Sequence, residues 1–267
     1  MSFTPTLPLT GYAGWRYVSA TLEGQMDRLR GSPVVARDIA HFRSEIGKVA
    51  TPGDLVGDYR LLKVALTAFG LQDDIANRAF VTRVLSDGVE DEAALSNRLA
   101  DKRYRDFSAA FGFGAGRAPR TGSPGFAQSI IARFERQSFE QSVGEQDPSM
   151  RLALDTARRL PALAAKGQAD TTAWLSVLGD PPMRQVFETA FGLPQSIGTL
   201  DLDFQVTAFR DAAGRIFGKQ DLAQFTDPGA VETLIRRFSL QTEIAAGPAP
   251  TTRGMAALVL LQSAGRP

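Results

Sequence analysis

The sequence predicts an all-α, multi-helical, bundle-like protein that carries one helical unit twice. Three observations predict it. Six pairs of a capping residue followed by proline mark helix starts. Apolar residues recur at helical spacing, and sustained period-two alternation is absent. Two stretches end on the same phrase, Ala-Phe-Gly-Leu.

The cap–proline pairs are Ser32-Pro33, Thr51-Pro52, Ser123-Pro124, Asp147-Pro148, Asp180-Pro181 and Asp227-Pro228. In each, the capping oxygen can accept a bond from an orphan first-turn amide. Proline at the first helical position has no amide to orphan, and its φ is already helical. Between these starts the apolar stripes follow in order. Trp15, Val18, Leu22, Met26 and Leu29 form the first. Val35, Ile39, Phe42 and Ile46 form the second. Ile130, Ile131, Phe134 and Phe139 lie on a later helix, and Ala230, Leu234, Ile235 and Phe238 close the pattern.

This spacing predicts helices near 13–30, 33–47, 52–57, 59–69, 73–86, 91–100 and 102–111. They continue near 124–143, 148–165, 171–178, 182–191, 200–217, 219–226, 228–245 and 252–263. The segment Gly112 to Gly125 is rich in glycine and proline, so it reads as a loop or linker. It separates an N-terminal lobe, 1–118, from a C-terminal lobe, 119–267. The alternative is one continuous globule.

Asp54–Leu71 and Ser176–Leu193 align without a gap at an offset of 122 residues, with 8 of 18 positions identical. Average residue usage predicts about one or two. Asp58 and Asp180 can cap the helix that follows. Leu61, Val64, Ala65 and Ala68 make one apolar face, as do Met183, Val186, Phe187 and Ala190. Gly70 and Gly192, after Phe69 and Phe191, supply the left-handed residue that stops the helix. Leu71 and Leu193 then fall where a Schellman stop places an apolar residue. Helix-stop chemistry accounts for the phrase; the functional alternative is a groove for a partner helix.

Composition narrows the function. With 30 basic and 29 acidic residues the net charge is +1, which does not suggest a nucleic-acid partner. There is no cysteine. That removes disulfides, thiolate metal sites and cysteine nucleophiles, and it fits a reducing cytoplasm. It fits equally a protein exported unfolded. The N-terminus lacks the basic and apolar regions of a secretory signal. The most apolar stretch, Met255–Leu261, is far shorter than the ~20 residues a bilayer span needs. No membrane insertion is expected.

His41 is the single histidine, and it reads as a solvated helix-face residue. One histidine without cysteine cannot build the usual zinc site. The glycines from Gly112 to Gly116 follow a helix where a dinucleotide fingerprint requires a strand. Gly214–Lys219 is one residue short of a phosphate-loop spacing. Arg117 and Arg120 read as solvated loop cations. Asp73-Asp74 and Glu90-Asp91-Glu92 sit at predicted helix starts, where negative charge favours the dipole. The basic run Arg98–Arg105 reads as a solvated helix face, because Asp101 interrupts it. No catalytic, cofactor-binding or metal-ligating residue is assigned, and no cofactor is expected. Two apolar ends remain. The stripe of Trp15, Val18 and Leu22, and the segment bearing Leu258 and Leu261, either complete the core or dock on a partner helix.

The phrases Pro8–Tyr17, His41–Asp74, Ser96–Gly114 and Val177–Pro194 resemble a bacterial family of unknown function, the domain-of-unknown-function family numbered twelve-seventeen. The resemblance covers most of the chain. It implies a helical protein with no established activity, no catalytic residues to carry over, and genes often found among flagellar genes. Around Asp180-Pro181-Pro182 the chain departs from the usual phrasing. The expectation is a protein–protein interaction module linked to flagellar assembly or motility, with a protein partner. It would be cytoplasmic, or exported through the flagellar path as a structural component. A helical enzyme with an unrecognised site is the other class.

Overall fold

The computed structural model describes residues 3–114 and 118–247. Among these residues lie thirteen α-helices and no strand. They are α1 Gly11–Arg30, α2 Pro33–Glu45, α3 Pro52–Gly57, α4 Tyr59–Ala68, α5 Arg78–Asp87, α6 Leu95–Arg98 and α7 Arg103–Phe111. After the glycine-rich loop come α8 Phe126–Gly144, α9 Pro148–Ala164, α10 Asp170–Leu178, α11 Pro181–Phe191, α12 Leu202–Phe217 and α13 Pro228–Ala246. The helix expected over 252–263 lies outside the described residues.

Local chemistry sets most boundaries. Helices α2, α3, α9, α11 and α13 begin on the proline of a cap–proline pair. In four of them the cap accepts a first-turn amide: Thr51 from Asp54, Asp147 from Met150, Asp180 from Met183 and Asp227 from Ala230. At Thr51 the Asp54 carboxylate returns the bond, closing a capping box. Ser32 makes no such bond. The sixth pair, Ser123-Pro124, does not start a helix. Gly125 takes φ +80°, through which an α-helix cannot run, so α8 begins at Phe126.

Three other expected helices are shortened, the last two by side chains that compete for the backbone. The segment 73–86 opens with a 3-10 turn, Gln72–Asp74, and becomes α-helical only at Arg78. The segment 91–100 shrinks to the single turn of α6, because Asn97 Nδ2 holds the carbonyls of Val89 and Asp91. The segment 219–226 is a 3-10 turn, Leu222–Thr226, with Gln224 Nε2 holding the carbonyls of Lys219 and Asp221.

Packing assembles three apolar cores. The first runs from α2 to the front half of α8 and includes Phe42, Leu62, Phe107, Phe111 and Phe134. The second lies among α9 to α13 around Trp174. Its indole meets Phe187 and Phe209 edge-on at 5.5 and 6.1 Å and donates Nε1 to the Gln220 carbonyl at 3.0 Å. The third is made by α1, the rear half of α8 and the start of α9, through Val18, Leu29, Phe139, Val143 and Leu154. Helix α8 therefore closes the first core and joins it to the rest.

The helices packed around α4 and around α11 have several contacts in common. In the first set, α4 packs on α2, α3 and α8, and α3 packs on α5. In the second, α11 packs on α9, α10, α12 and α13, and α10 packs on α12. A 3-10 turn lies against the last helix of each set: Arg120–Gly122 on α8, and Leu222–Thr226 on α13.

Candidate functional site

The two Ala-Phe-Gly-Leu phrases adopt the same local structure. Asp58 Oδ1 caps α4 through the amides of Arg60 and Leu61, and Asp180 Oδ1 caps α11 through Met183. Gly70 and Gly192 take φ +70° and +66°. The Leu71 amide reaches the Leu66 carbonyl and the Leu193 amide reaches Glu188, both at 2.9 Å; the glycine amides close the inner bond. Both ends are Schellman stops. Phe69 and Phe191 are buried in their own cores. At Gly112 the stop is simpler, with one bond from its amide to the Ser108 carbonyl.

The second oxygen of each capping aspartate distinguishes the two phrases. Asp58 Oδ2 lies 2.7 Å from His41 Nε2. His41 is thus half-buried and paired, where a solvated side chain was expected; α2 packs on α4 and brings the ring to the cap. No nucleophile completes a triad there, because Ser44 Oγ donates back to the His41 carbonyl. Burial works against the Asp58 charge, but the Leu61 amide, His41 and the Arg60 amide outweigh it and hold the carboxyl below its ordinary range. Asp180 Oδ2 instead receives Arg159 Nη2.

That contact opens a buried ionic seam between the halves. Asp155 accepts Arg158 at 2.6 Å and Arg159 at 3.0 Å, and Gln137 of α8 reaches it at 3.3 Å. Glu140, with no exposed side-chain surface, accepts Arg136 at 2.8 Å and Arg158 at 2.9 Å on both oxygens. Arg103 of α7 forks onto Asp101 and donates Nη1 to the Gly70 carbonyl at 2.6 Å. The Lys102 amide reaches the Gly179 carbonyl at 2.7 Å. The start of α7 thereby ties the Gly70 stop to the turn before α11. Three carboxylates, Glu140, Asp155 and Asp180, face three guanidiniums, Arg136, Arg158 and Arg159, so the seam is internally neutral. Burial opposes the charge of Arg158 and Arg159, yet their carboxylate partners outweigh it and hold both more firmly protonated than an ordinary arginine.

Above the seam lies a cleft of about 700 Å³, bordered by the end of α4, the start of α7, α8, α9 and α10. This volume is within the range of ligand pockets. Ala68, Phe69, Ala162, Leu163 and Leu175 line an apolar strip. Around it stand Lys102, Arg105, Arg133 and Lys166, none paired with a carboxylate among the described residues. Lys102 Nζ bonds only the carbonyls of Asn97 and Leu99, and Arg105 Nε bonds Asn97 Oδ1. Arg133 lies over the Phe69 ring, 5.2 Å from its centroid. Asp106 is the one acidic lining residue that is neither part of the neutral seam nor ion-paired. Four uncommitted cations against one carboxylate leave an excess of three positive charges. The run Arg98–Arg105 therefore contributes to a cleft and not simply to a solvated face.

The remaining sequence candidates fall elsewhere. Val18 is fully buried in the third core, with Trp15 and Leu22 half-buried against it, so this stripe completes packing. Trp15 also stacks on Tyr12 at 5.8 Å. Leu258 and Leu261 lie outside the described residues, as does Arg117. Asp74 accepts the Tyr104 hydroxyl and Asn77, and Asp91 caps the Ala93 amide. Among the described residues, no three His, Asp or Glu side chains converge to hold a metal ion. None of their helices is long and apolar enough to cross a membrane. Sequence reading missed Arg133, Arg158, Arg159 and Lys166. One available signal was the spacing of Asp155 to Arg158 and Arg159 on a strongly amphipathic helix.

Comparison with known proteins places the chain. A family model described as a protein of unknown function, DUF1217, matches residues 68–231. The chain belongs to this family. Every residue lining the cleft, from Ala68 to Met183, lies within the family region. No curated protein matches the sequence. Among solved structures, the crystal structure of protein AGR_C_984 from Agrobacterium tumefaciens is similar, with a TM-score of 0.72 and 28% identity. The likeness covers 92% of this chain and 100% of that one.

Proposed function

We propose that this DUF1217 protein is a helical interaction module that engages a protein partner through the cleft between its two halves, in a role connected to flagellar assembly or motility. The observation that carries the docking reading is the set of four uncommitted cations around an apolar strip. The ionic seam beneath the cleft supports a non-catalytic role. The seam carboxylates are all ion-paired, and arginine keeps its proton at working pH, so neither supplies a poised acid or base. The motility connection rests on the family resemblance alone.

The shared contacts and paired stops support a duplicated unit. In this reading α2–α8 and α9–α13 are two copies, with α6 and α7 inserted in the first. The lobe boundary then falls between α8 and α9, after the glycine-rich loop. The absence of cysteine is equally compatible with a second reading, an exported structural component in place of a cytoplasmic assembly factor.

Deleting the gene in a motile strain tests the role. Impaired swimming or filament assembly is expected, and unchanged swimming and filaments would overturn the motility connection. Affinity purification from motile cells should recover a specific partner. Appearance of the protein in culture supernatant only with a working flagellar export path would favour the exported form.

A further inference from the structure

We infer that the occupant of the cleft is an acidic peptide segment of a partner protein, with carboxylate side chains spaced by apolar ones. This rests on the docking reading above and specifies the chemistry that the site recognises.

Charge complementarity is the first argument. The ionic seam is neutral, so it offers no net attraction. The excess of three positive charges belongs to Lys102, Arg105, Arg133 and Lys166, less Asp106. These cations differ in freedom. Lys102 has two of its three N–H groups committed to carbonyls, and Arg105 has its Nε committed to Asn97. Both leave further N–H groups for an incoming acceptor. Arg133 has its guanidinium held on the Phe69 ring, which leaves its N–H edge available. Lys166 is exposed and forms no ion pair among the described residues.

Layout is the second argument. The cations come from three separate elements, the start of α7, α8 and the turn after α9, and an apolar strip of Phe69, Leu163 and Leu175 lies among them. A compact phosphate needs donors converging on one point, commonly free amides at a helix N-terminus. Two helices at the cleft edge have first-turn amides already committed, Arg103 to Asp101 and Met183 to Asp180, while the start of α10, with Thr172 in the lining, carries no side-chain cap, so tripolyphosphate is the rival occupant in the test below. A peptide alternating Asp or Glu with Leu or Ala satisfies both the separated charges and the strip between them. A nucleic acid would match the cations, but its bases need an open aromatic face to stack on, and the Phe69 ring is 7% exposed and covered by Arg133.

Fluorescence anisotropy of the full chain with a labelled peptide of Glu and Leu in alternation tests this. A matched peptide with Gln for every Glu, a single-stranded DNA oligomer and inorganic tripolyphosphate serve as competitors. The Glu peptide should bind about tenfold or more tightly than the Gln peptide. That advantage should fade as salt rises from roughly 0.05 M to roughly 0.5 M. R133E/K166E should lower the affinity at least about tenfold. Arg105→Glu, which leaves the Arg133–Phe69 contact intact, should lower it as well. Equal binding of the Glu and Gln peptides overturns the inference. So does an affinity unchanged in both variants while their melting temperatures match the parent, or tighter binding of the oligomer or tripolyphosphate.

Purification from motile cells separates the two levels. A partner recovered equally by the parent and by R105E overturns the cleft inference but leaves the interaction reading. Failure to recover any partner while the Glu peptide still binds overturns the interaction reading and upholds the chemistry of the cleft.

Discussion

Replacing Arg159 by methionine, which keeps length but removes charge, tests the ionic seam. Among the described residues, Arg159 is the sole partner of one oxygen on each of two buried carboxylates: Asp155 Oδ2 and Asp180 Oδ2. Their side chains are only 7% and 6% exposed, so water cannot readily replace the guanidinium. Asp155 keeps Arg158 and Gln137, whereas Asp180 keeps only the Met183 amide. Breaking a buried pair by removing one partner costs about 3–5 kcal/mol, and Asp155's surviving partners place this case near the lower half of that range. At about 2–4 °C per kcal/mol in a chain of this size, the melting temperature should fall by roughly 10 °C. Asp180→Asn supplies the decisive control. Asparagine caps a helix nearly as well as aspartate but carries no charge. Added to R159M it should recover about 1–2 kcal/mol, although alone it destabilises the parent. Urea unfolding of the four proteins of this cycle measures both effects. A loss below about 1 kcal/mol for R159M, or strict additivity in the cycle, would refute the seam as a stabilising unit.

Other outcomes follow from the same contacts. Gly192→Ala places a Cβ in open space at φ +66°, so it should cost only the left-handed backbone penalty of about 1–2 kcal/mol. Gly70→Ala adds a contact 3.3 Å from Arg103 Nη1 and should cost more; equal losses in paired melts would sink the tie between the first stop and the seam. Trp174→Ala, at a fully buried site with three aromatic neighbours, should cost about 3–5 kcal/mol, whereas a loss under about 1 kcal/mol would contradict the second core. Asp58 has a depressed pKa when folded, so its contribution is present above the unfolded value of about 3.9 and is lost as pH falls through the folded value. Asp58→Asn should therefore flatten the acid limb of stability against pH, read from urea midpoints between about pH 5 and pH 2; an unchanged limb would count against the cap–histidine pair.

What could be read in the chain tracks the range of the interactions involved. Asp147 caps a helix three residues away, and Gly192 stops one through bonds spanning five residues. Such features complete themselves within a turn or two, so the linear sequence contains all their parts. Failures at this level have the same origin. Gly125 and the side chains of Asn97 and Gln224 offered the backbone a local alternative, and it prevailed over apolar spacing. The cleft is different in kind. Phe69 and Arg133 are 64 residues apart, and Asp155 and Arg159 meet Asp180 only after α9 and α11 have packed together.

By itself, then, the sequence determined the all-α class, most of the helix starts and the two Schellman stops, because each depends on groups already adjacent along the chain. Only the tertiary structure decided that His41 would meet Asp58, that three arginines would neutralise three buried carboxylates, and that four other cations would be left free around an apolar strip. The physical reason is that a cation's meaning depends on the nearest carboxylate in space. That neighbour is chosen by which helix faces the cores bring together.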